Sequence, residues 1–167
     1  MKHIVQQIHF VGIGGAGAGP TDPTLYANTT GSANTAIGMS ALKSNTTASN
    51  NTAVGYQAGY SNSTGNNCTY IGNKAGYGAT GGLNTCIGDE SGYGSNTLTS
   101  GTNNIYIGYG ASGSSGTNTD EIVIGGHGTA TGKGSNTGFI SAGGGGVYQG
   151  NNSSSWSTTS PFLAFII

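Results

Sequence analysis

Residues 50–60 read NNTAVGYQAGY, a run of asparagine, threonine, glycine, alanine and tyrosine around one aliphatic side chain, Val54. The same line recurs as ANTAIGMSAL at 33–42, NCTYIGNKAGY at 67–77, LNTCIGDESGY at 83–93, NNIYIGYGAS at 103–112 and DEIVIGGHGT at 120–129. Aligned on the aliphatic-glycine step, the anchors are Ile37, Val54, Ile71, Ile87, Ile107 and Ile124, with Ile140 a degenerate last member before Ser141. The intervals are 17, 17, 16, 20, 17 and 16 residues. Self-similarity at so short a period, with no helix formers in register, is the mark of stacked β-coils. It predicts an all-β chain: a parallel β-solenoid (β-roll or β-helix) of about seven coils with 16–20-residue repeats at 25–141, between a leader (1–24) and a Gly/Ser-rich C-terminal tail (142–167).

Each column of the alignment implies a physical role. The glycine after the anchor (Gly38, Gly55, Gly72, Gly88, Gly108, Gly125) can take positive φ and turn a corner. Small residues four places on (Ala41, Ala58, Ala75, Ser91, Ala111 and then Gly128) suit a cramped inner wall. Asn34, Asn51, Asn84 and Asn104, three places before the anchor, can form an amide ladder that Cys68 interrupts. Ser40, Gln57, Lys74, Glu90 and His127 share a column expected to face solvent. The anchors themselves, Ile37, Val54, Ile71, Ile87, Ile107 and Ile124, are expected to fill the coil core.

Successive residues on a strand face opposite ways, and the residue before each anchor is also apolar: Ala36, Ala53, Tyr70, Cys86, Tyr106, Val123, Phe139. If the anchors point inward, this second column points outward and needs another surface to cover it. Tyr70, Tyr106, Val123 and Phe139 are therefore the expected oligomer interface. A thin coil with one aliphatic residue and one alanine inside would not be stable alone, so the chain is expected to be a homo-oligomer, a trimer.

Composition excludes several function classes. Gly, Ser, Thr and Asn make up more than half of the 167 residues, and only 5% are charged. Disorder and a Gly/Ser linker are both disfavoured, by nine tyrosines and by the fixed phase of the Ile-Gly step. With four lysines and no arginine, nothing neutralises a phosphate backbone, so no nucleic acid is expected as a partner. The most apolar run, PFLAFII at 161–167, is far shorter than the roughly 20 residues of a spanning helix, so no membrane span is expected. The leader shows no cleavable secretory pattern.

The motifs NTAIGxxAL and NNTAVGYQAGY resemble the head repeats of trimeric autotransporter adhesins and, more closely, repeats in bacteriophage tail fibres, over about residues 31–141. The resemblance implies a trimer of parallel β-coils at the tip of a fibre. GGGGVYQGNNSSSWSTTS at 143–160 is similar to the segment preceding the trimerisation chaperone of many phage fibres. On this reading the chain is a structural fibre protein of the virion, a shaft or tip segment touching host surface glycans. The alternatives are a self-assembling extracellular fibril protein and a bacterial surface adhesin head.

The opening MKHIVQQIHFVGIGGAGAG closely resembles the start of UDP-N-acetylmuramate–alanine ligase, and Gly12, Gly14 and Gly17 satisfy G-x-G-x-x-G. That fingerprint needs a helix directly after the glycines, and Pro20 and Pro23 forbid one. The expectation is a β-strand that extends or caps the first coil, with no nucleotide or other cofactor. GHGTATGKGS at 126–135 departs from a phosphate loop at His127 and Gly134 and reads as a turn. Asp89-Glu90 and Asp120-Glu121 read as solvated turns, and His3, His9 and His127 lie too far apart to suggest a metal site. No catalytic residue can be assigned, so no enzyme is expected. Tyr60, Tyr77 and Tyr93 share a column six places after the anchor and are candidate glycan contacts. Cys68 and Cys86, on adjacent coils but two columns apart, are expected to be free thiols. Sequons begin at Asn28, Asn45 and Asn62.

Overall fold

A computed structural model describes residues 10–13, 23–94, 96–126, 130–141, 146–150 and 157–158. The strands are β1 (Phe10–Ile13), β2 (Asn34–Ile37), β3 (Thr52–Val54), β4 (Thr69–Ile71), β5 (Thr85–Ile87), β6 (Ile105–Ile107), β7 (Ile122–Gly125), β8 (Gly138–Ser141), β9 (Gly146–Gln149) and β10 (Ser157–Thr158). They form one sheet in chain order, parallel from β1 to β8 and antiparallel from β8 through β9 to β10. No helix occurs among the described residues, and the protein is a parallel β-solenoid of about six turns between β2 and β8.

The register is the one the alignment demanded. Ile37, Val54, Ile71, Ile87, Ile107, Ile124 and Ile140 pair in succession, as do Ala36, Ala53, Tyr70, Cys86, Tyr106, Val123 and Phe139. Coil-to-coil backbone bonds continue beyond the short strands: Leu42 N donates to Ala58 O (3.0 Å), Gly59 N to Ala75 O (2.9 Å) and Gly76 N to Ser91 O (2.8 Å). From Gly38 to Gly108 the corner glycines have φ of 120–136°, whereas Gly125, expected to do the same, stays in the extended strand β7 and pairs with Ser141. A Cβ at Gly72 would lie 2.3 Å from the Gly88 carbonyl oxygen, so the next coil occupies the space a side chain would need.

The two apolar columns are the reverse of the sequence expectation. The anchors are not the coil core: Ile37, Ile71 and Ile124 are exposed, at 37–38%, and Val54, Ile87 and Ile107 are only half-buried. Tyr70, Tyr106, Val123 and Phe139 are not on an outer interface either; they are buried inside their own coil. The reason is volume compensation across the coil. The first coil pairs Ala36 with Leu42, five places after the anchor, and where Tyr70 enters the interior the facing positions are Gly59 and Gly76. Leu42 shares the interior with Ala36 and Ala53, whereas a Cβ at Gly59 or Gly76 would lie 2.5 or 2.2 Å from the Tyr70 ring. A side of variable size that is matched atom for atom across the coil must be the inside.

The leader contributes β1, which pairs in parallel with β2 and places Gly12 opposite Ala36; Gly14 and Gly17 lie outside the described residues. Within the Gly/Ser-rich C-terminal segment, described residues form β9 and β10. Tyr148 pairs with Phe139 and packs partly buried against the core. No helix among the described residues is long and apolar enough to cross a membrane.

Candidate functional site

The outward face of the sheet is a two-column grid. One column is the anchor row, extended at both ends by Ile13, which pairs with Ile37, and by Val147, which pairs with Ile140. The other, two residues earlier on each parallel strand, begins at the exposed Val11, runs through Thr35, Thr52, Thr69 and Thr85, changes to Ile105 and Ile122 and ends at Gly138 and its antiparallel partner Gln149. From β2 to β5 the grid is thus hydroxyl beside aliphatic, and at β6 and β7 it is aliphatic in both columns, with Ile105, Ile122, Ile124, Ile140 and Val147 all exposed. No charged side chain stands on either column. The sequence reading passed over the threonine row, although it lies at the same parity as the anchors.

The tyrosine column forms as expected. The Tyr60 and Tyr77 rings stack with centroids 4.9 Å apart and planes at 13°, and Tyr77 and Tyr93 follow at 4.9 Å and 57°. Lys43 Nζ lies 5.4 Å from the Tyr60 ring centre and Lys74 Nζ 5.5 Å from that of Tyr93. The rings use their faces on one another and on these ammonium groups, so an external ligand meets ring edges and hydroxyls.

The asparagine column is buried, but its bonding is not amide to amide throughout. Asn34 Oδ1 accepts from Asn51 N (3.0 Å), Asn51 Oδ1 from Cys68 N (2.8 Å) and Asn104 Oδ1 from Glu121 N (3.0 Å). Only Asn104 Nδ2 to Asn84 Oδ1 (3.1 Å) joins two side chains of the column. Each amide therefore braces the backbone of the following coil. Asn45 and Asn62, at two of the sequons, are fully buried and closed to glycosylation. The column expected to face solvent is a left-handed corner: Ser40, Gln57, Lys74 and Glu90 have φ of 52–60°. Ser40 is buried there; His127 falls outside the described residues.

Of the acidic pairs, Asp89 and Asp120 are exposed and accept from Asn73 and Asn103 of the preceding coils. Glu121 overturns the solvated-turn expectation, because it is completely buried in the column elsewhere occupied by asparagine. Its Oε2 accepts from Tyr106 Oη and from Asn118 Nδ2, both at 3.0 Å, and its Oε1 accepts from Gly134 N at 2.7 Å. Burial, then the nearby Glu121 carboxylate, raises the Tyr106 pKa far above the ordinary phenol value. Tyr70 Oη has no hydrogen-bond partner, and its pKa is raised first by burial and then by the neighbouring Cys68 and Cys86. Burial, reinforced by Cys68, also holds Cys86 as a neutral thiol. Both cysteines are free and buried.

Tyr70, Cys86, Tyr106 and Glu121 lie in the packed interior. The described residues include no group of three or more His, Cys, Asp or Glu side chains that could hold a metal. A shallow groove of about 380 Å³ runs along one corner, lined by Thr64, Asn66, Asn67, Thr80 and the exposed Leu83. It contains no acid, base or nucleophile pair. No protein-family model, no curated protein and no solved structure matches the chain.

Proposed function

We propose that the chain is a structural fibre protein, a trimeric β-solenoid shaft or tip segment of a phage tail fibre that contacts host surface glycans. The observation that carries the reading is the outward grid: an uncharged apolar row of exposed and half-buried anchors runs the length of a rod whose interior is already filled. Contiguous apolar stripes of this kind are covered by partners. Parallel copies of one chain bring like columns together around a threefold axis. The resemblance of the repeats to adhesin heads and phage fibres supports the same assembly, and virion localisation follows from it.

The contact belongs to the anchor face, with its strongest part at β6 and β7, where both columns are aliphatic. Further toward the N-terminus, each threonine hydroxyl buried without a partner would cost about 1–3 kcal/mol. The rods therefore join at their C-terminal halves. An end-to-end fibril is less favoured, because antiparallel β9 and β10 interrupt the parallel stack that another solenoid would extend. Glycan contact falls to the edges of Tyr60, Tyr77 and Tyr93.

Sedimentation equilibrium tests the assembly. The native protein should run at about three times the 16.4 kDa chain mass. Ile122→Asp with Ile124→Asp should give a monomer that keeps its β-signal, since both side chains point outward. A wild-type protein that stays folded and monomeric at high concentration refutes the reading.

A further inference from the structure

We infer that the N-terminal half of the outward grid, the hydroxyl row Thr35, Thr52, Thr69 and Thr85 with the aliphatic row beside it, is a binding surface for crystalline water. The inference goes beyond the fibre reading and uses the part of the sheet that self-association leaves open.

The first observation is how the hydroxyls are used. Several corner threonines spend theirs inside the chain, Thr24 on Gly38 O (2.6 Å), Thr46 on Ser63 O (3.1 Å), Thr99 on Gly116 O (3.0 Å) and Thr137 on Gly134 O (2.6 Å), while others, such as Thr47 and Thr64, do not but lie at bends off the sheet. Among the described residues, none of the four hydroxyls in the row has an intramolecular hydrogen-bond partner, and all four residues are half-exposed. Four donor-acceptor groups in a line are directed at something outside the chain.

The second observation is periodicity. The pairing Thr35, Thr52, Thr69, Thr85 runs without offset or bulge, so the groups repeat once per coil, about 4.8 Å apart, and reach their aliphatic neighbours about 6.7 Å along each strand. β-branched side chains are stiff at χ1, and stacking between identical neighbours holds them further. A mobile ligand gains nothing from such a grid, whereas a solid with its own two-dimensional repeat does. The repeats are comparable to those of oxygen atoms within planes of hexagonal ice.

The chemistry selects among periodic solids. An ionic lattice would require charge, and the grid has none. A crystalline polysaccharide is gripped by aromatic faces, and no ring stands on the grid in this half: Tyr70 points inward, and Tyr60, Tyr77 and Tyr93 lie in turns away from the strands. Hydroxyls can take the place of lattice waters, while threonine methyls and the aliphatic row hold the intervening waters without imposing a competing hydration shell.

Ice growth in a solution of the purified full chain, watched under a microscope with a controlled cold stage, tests the inference. The expected result is faceted crystals and a gap between melting and freezing points. Thr52→Tyr with Thr69→Tyr should reduce that gap at least tenfold while the far-ultraviolet β-signal persists. Tyr26→Ser, at a highly exposed site off the grid, should leave it unchanged. Folded wild-type protein that neither facets ice nor delays freezing at millimolar concentration overturns the inference, as does binding to crystalline chitin or cellulose without any effect on ice. Chain mass measured on the same samples separates the two readings. A trimer inert toward ice leaves the fibre standing alone, and a monomer that shapes ice leaves the ice surface standing alone.

Discussion

Tyr70 and Ile71 are adjacent on β4 and point to opposite sides, so truncating each in turn decides which side of the strand is the interior. Tyr70 is fully buried between Gly59 and Gly76. Tyr70→Ala removes the whole ring from a closed site flanked by glycines that cannot fill the space, and large aromatic truncations of this kind cost roughly 3–5 kcal/mol. Ile71 is 38% exposed. Its burial in a single chain contributes about 60% of the roughly 1.5–3 kcal/mol of a fully buried aliphatic side chain, and truncation leaves no closed cavity, so Ile71→Ala should cost about 1–2 kcal/mol. Tyr70→Phe sharpens the comparison, because the hydroxyl it removes is buried without a partner, and this variant should gain about 1 kcal/mol. Urea unfolding followed by circular dichroism at low protein concentration reads all three, with the slope checked for constancy across variants. If Ile71→Ala costs more than Tyr70→Ala, or Tyr70→Phe destabilises, the interior has been placed on the wrong face.

Alkaline solution should destabilise the protein. Tyr70, Cys86 and Tyr106 all have pKa values raised in the fold, so their neutral forms contribute stability below the unfolded values, about 8.5 for cysteine and 10 for tyrosine, that is lost as pH climbs past them. The melting temperature should fall progressively above about pH 8.5, and Cys86→Ala should delay the onset. Glu121→Ala strands three donors and should cost roughly 2–4 kcal/mol, with faster hydrogen exchange at the Gly134 amide as the local readout. Gly72→Ala should lower the melting temperature strongly, whereas Gly126→Ala, where nothing lies within 4 Å, should leave it nearly unchanged.

The coil, its period and its glycine corners were legible because each demands a residue type at a fixed phase. The inside was not. Ile37, Val54 and Ile71 look like a core when each line is read alone, and the decisive signal lies between lines, in the exchange of Ala36 and Leu42 for Tyr70 and Gly76. Parity offered a second clue, since Asn34 and Ala36 share a face and both are buried. The buried Glu121 could not be foreseen, because one acid beside Asp120 has the sequence appearance of a turn. Its burial depends on Asn118 and Gly134, which belong to different corners. The tyrosine ladder was legible as geometry, but not the way its rings occupy one another's faces.

Because the ladder bonds run from coil to coil, they lie along the rod's own axis. Tension applied at the two ends therefore loads them one rung at a time, as in a zipper, instead of shearing a whole strand at once. A 17-residue coil that peels away gives up a rise of about 4.8 Å and releases up to roughly 55–60 Å of extended chain. The isolated rod should then resist bending and compression but yield to traction in a low, repeating sawtooth, with lateral binding to neighbours the only means of making it hold a load.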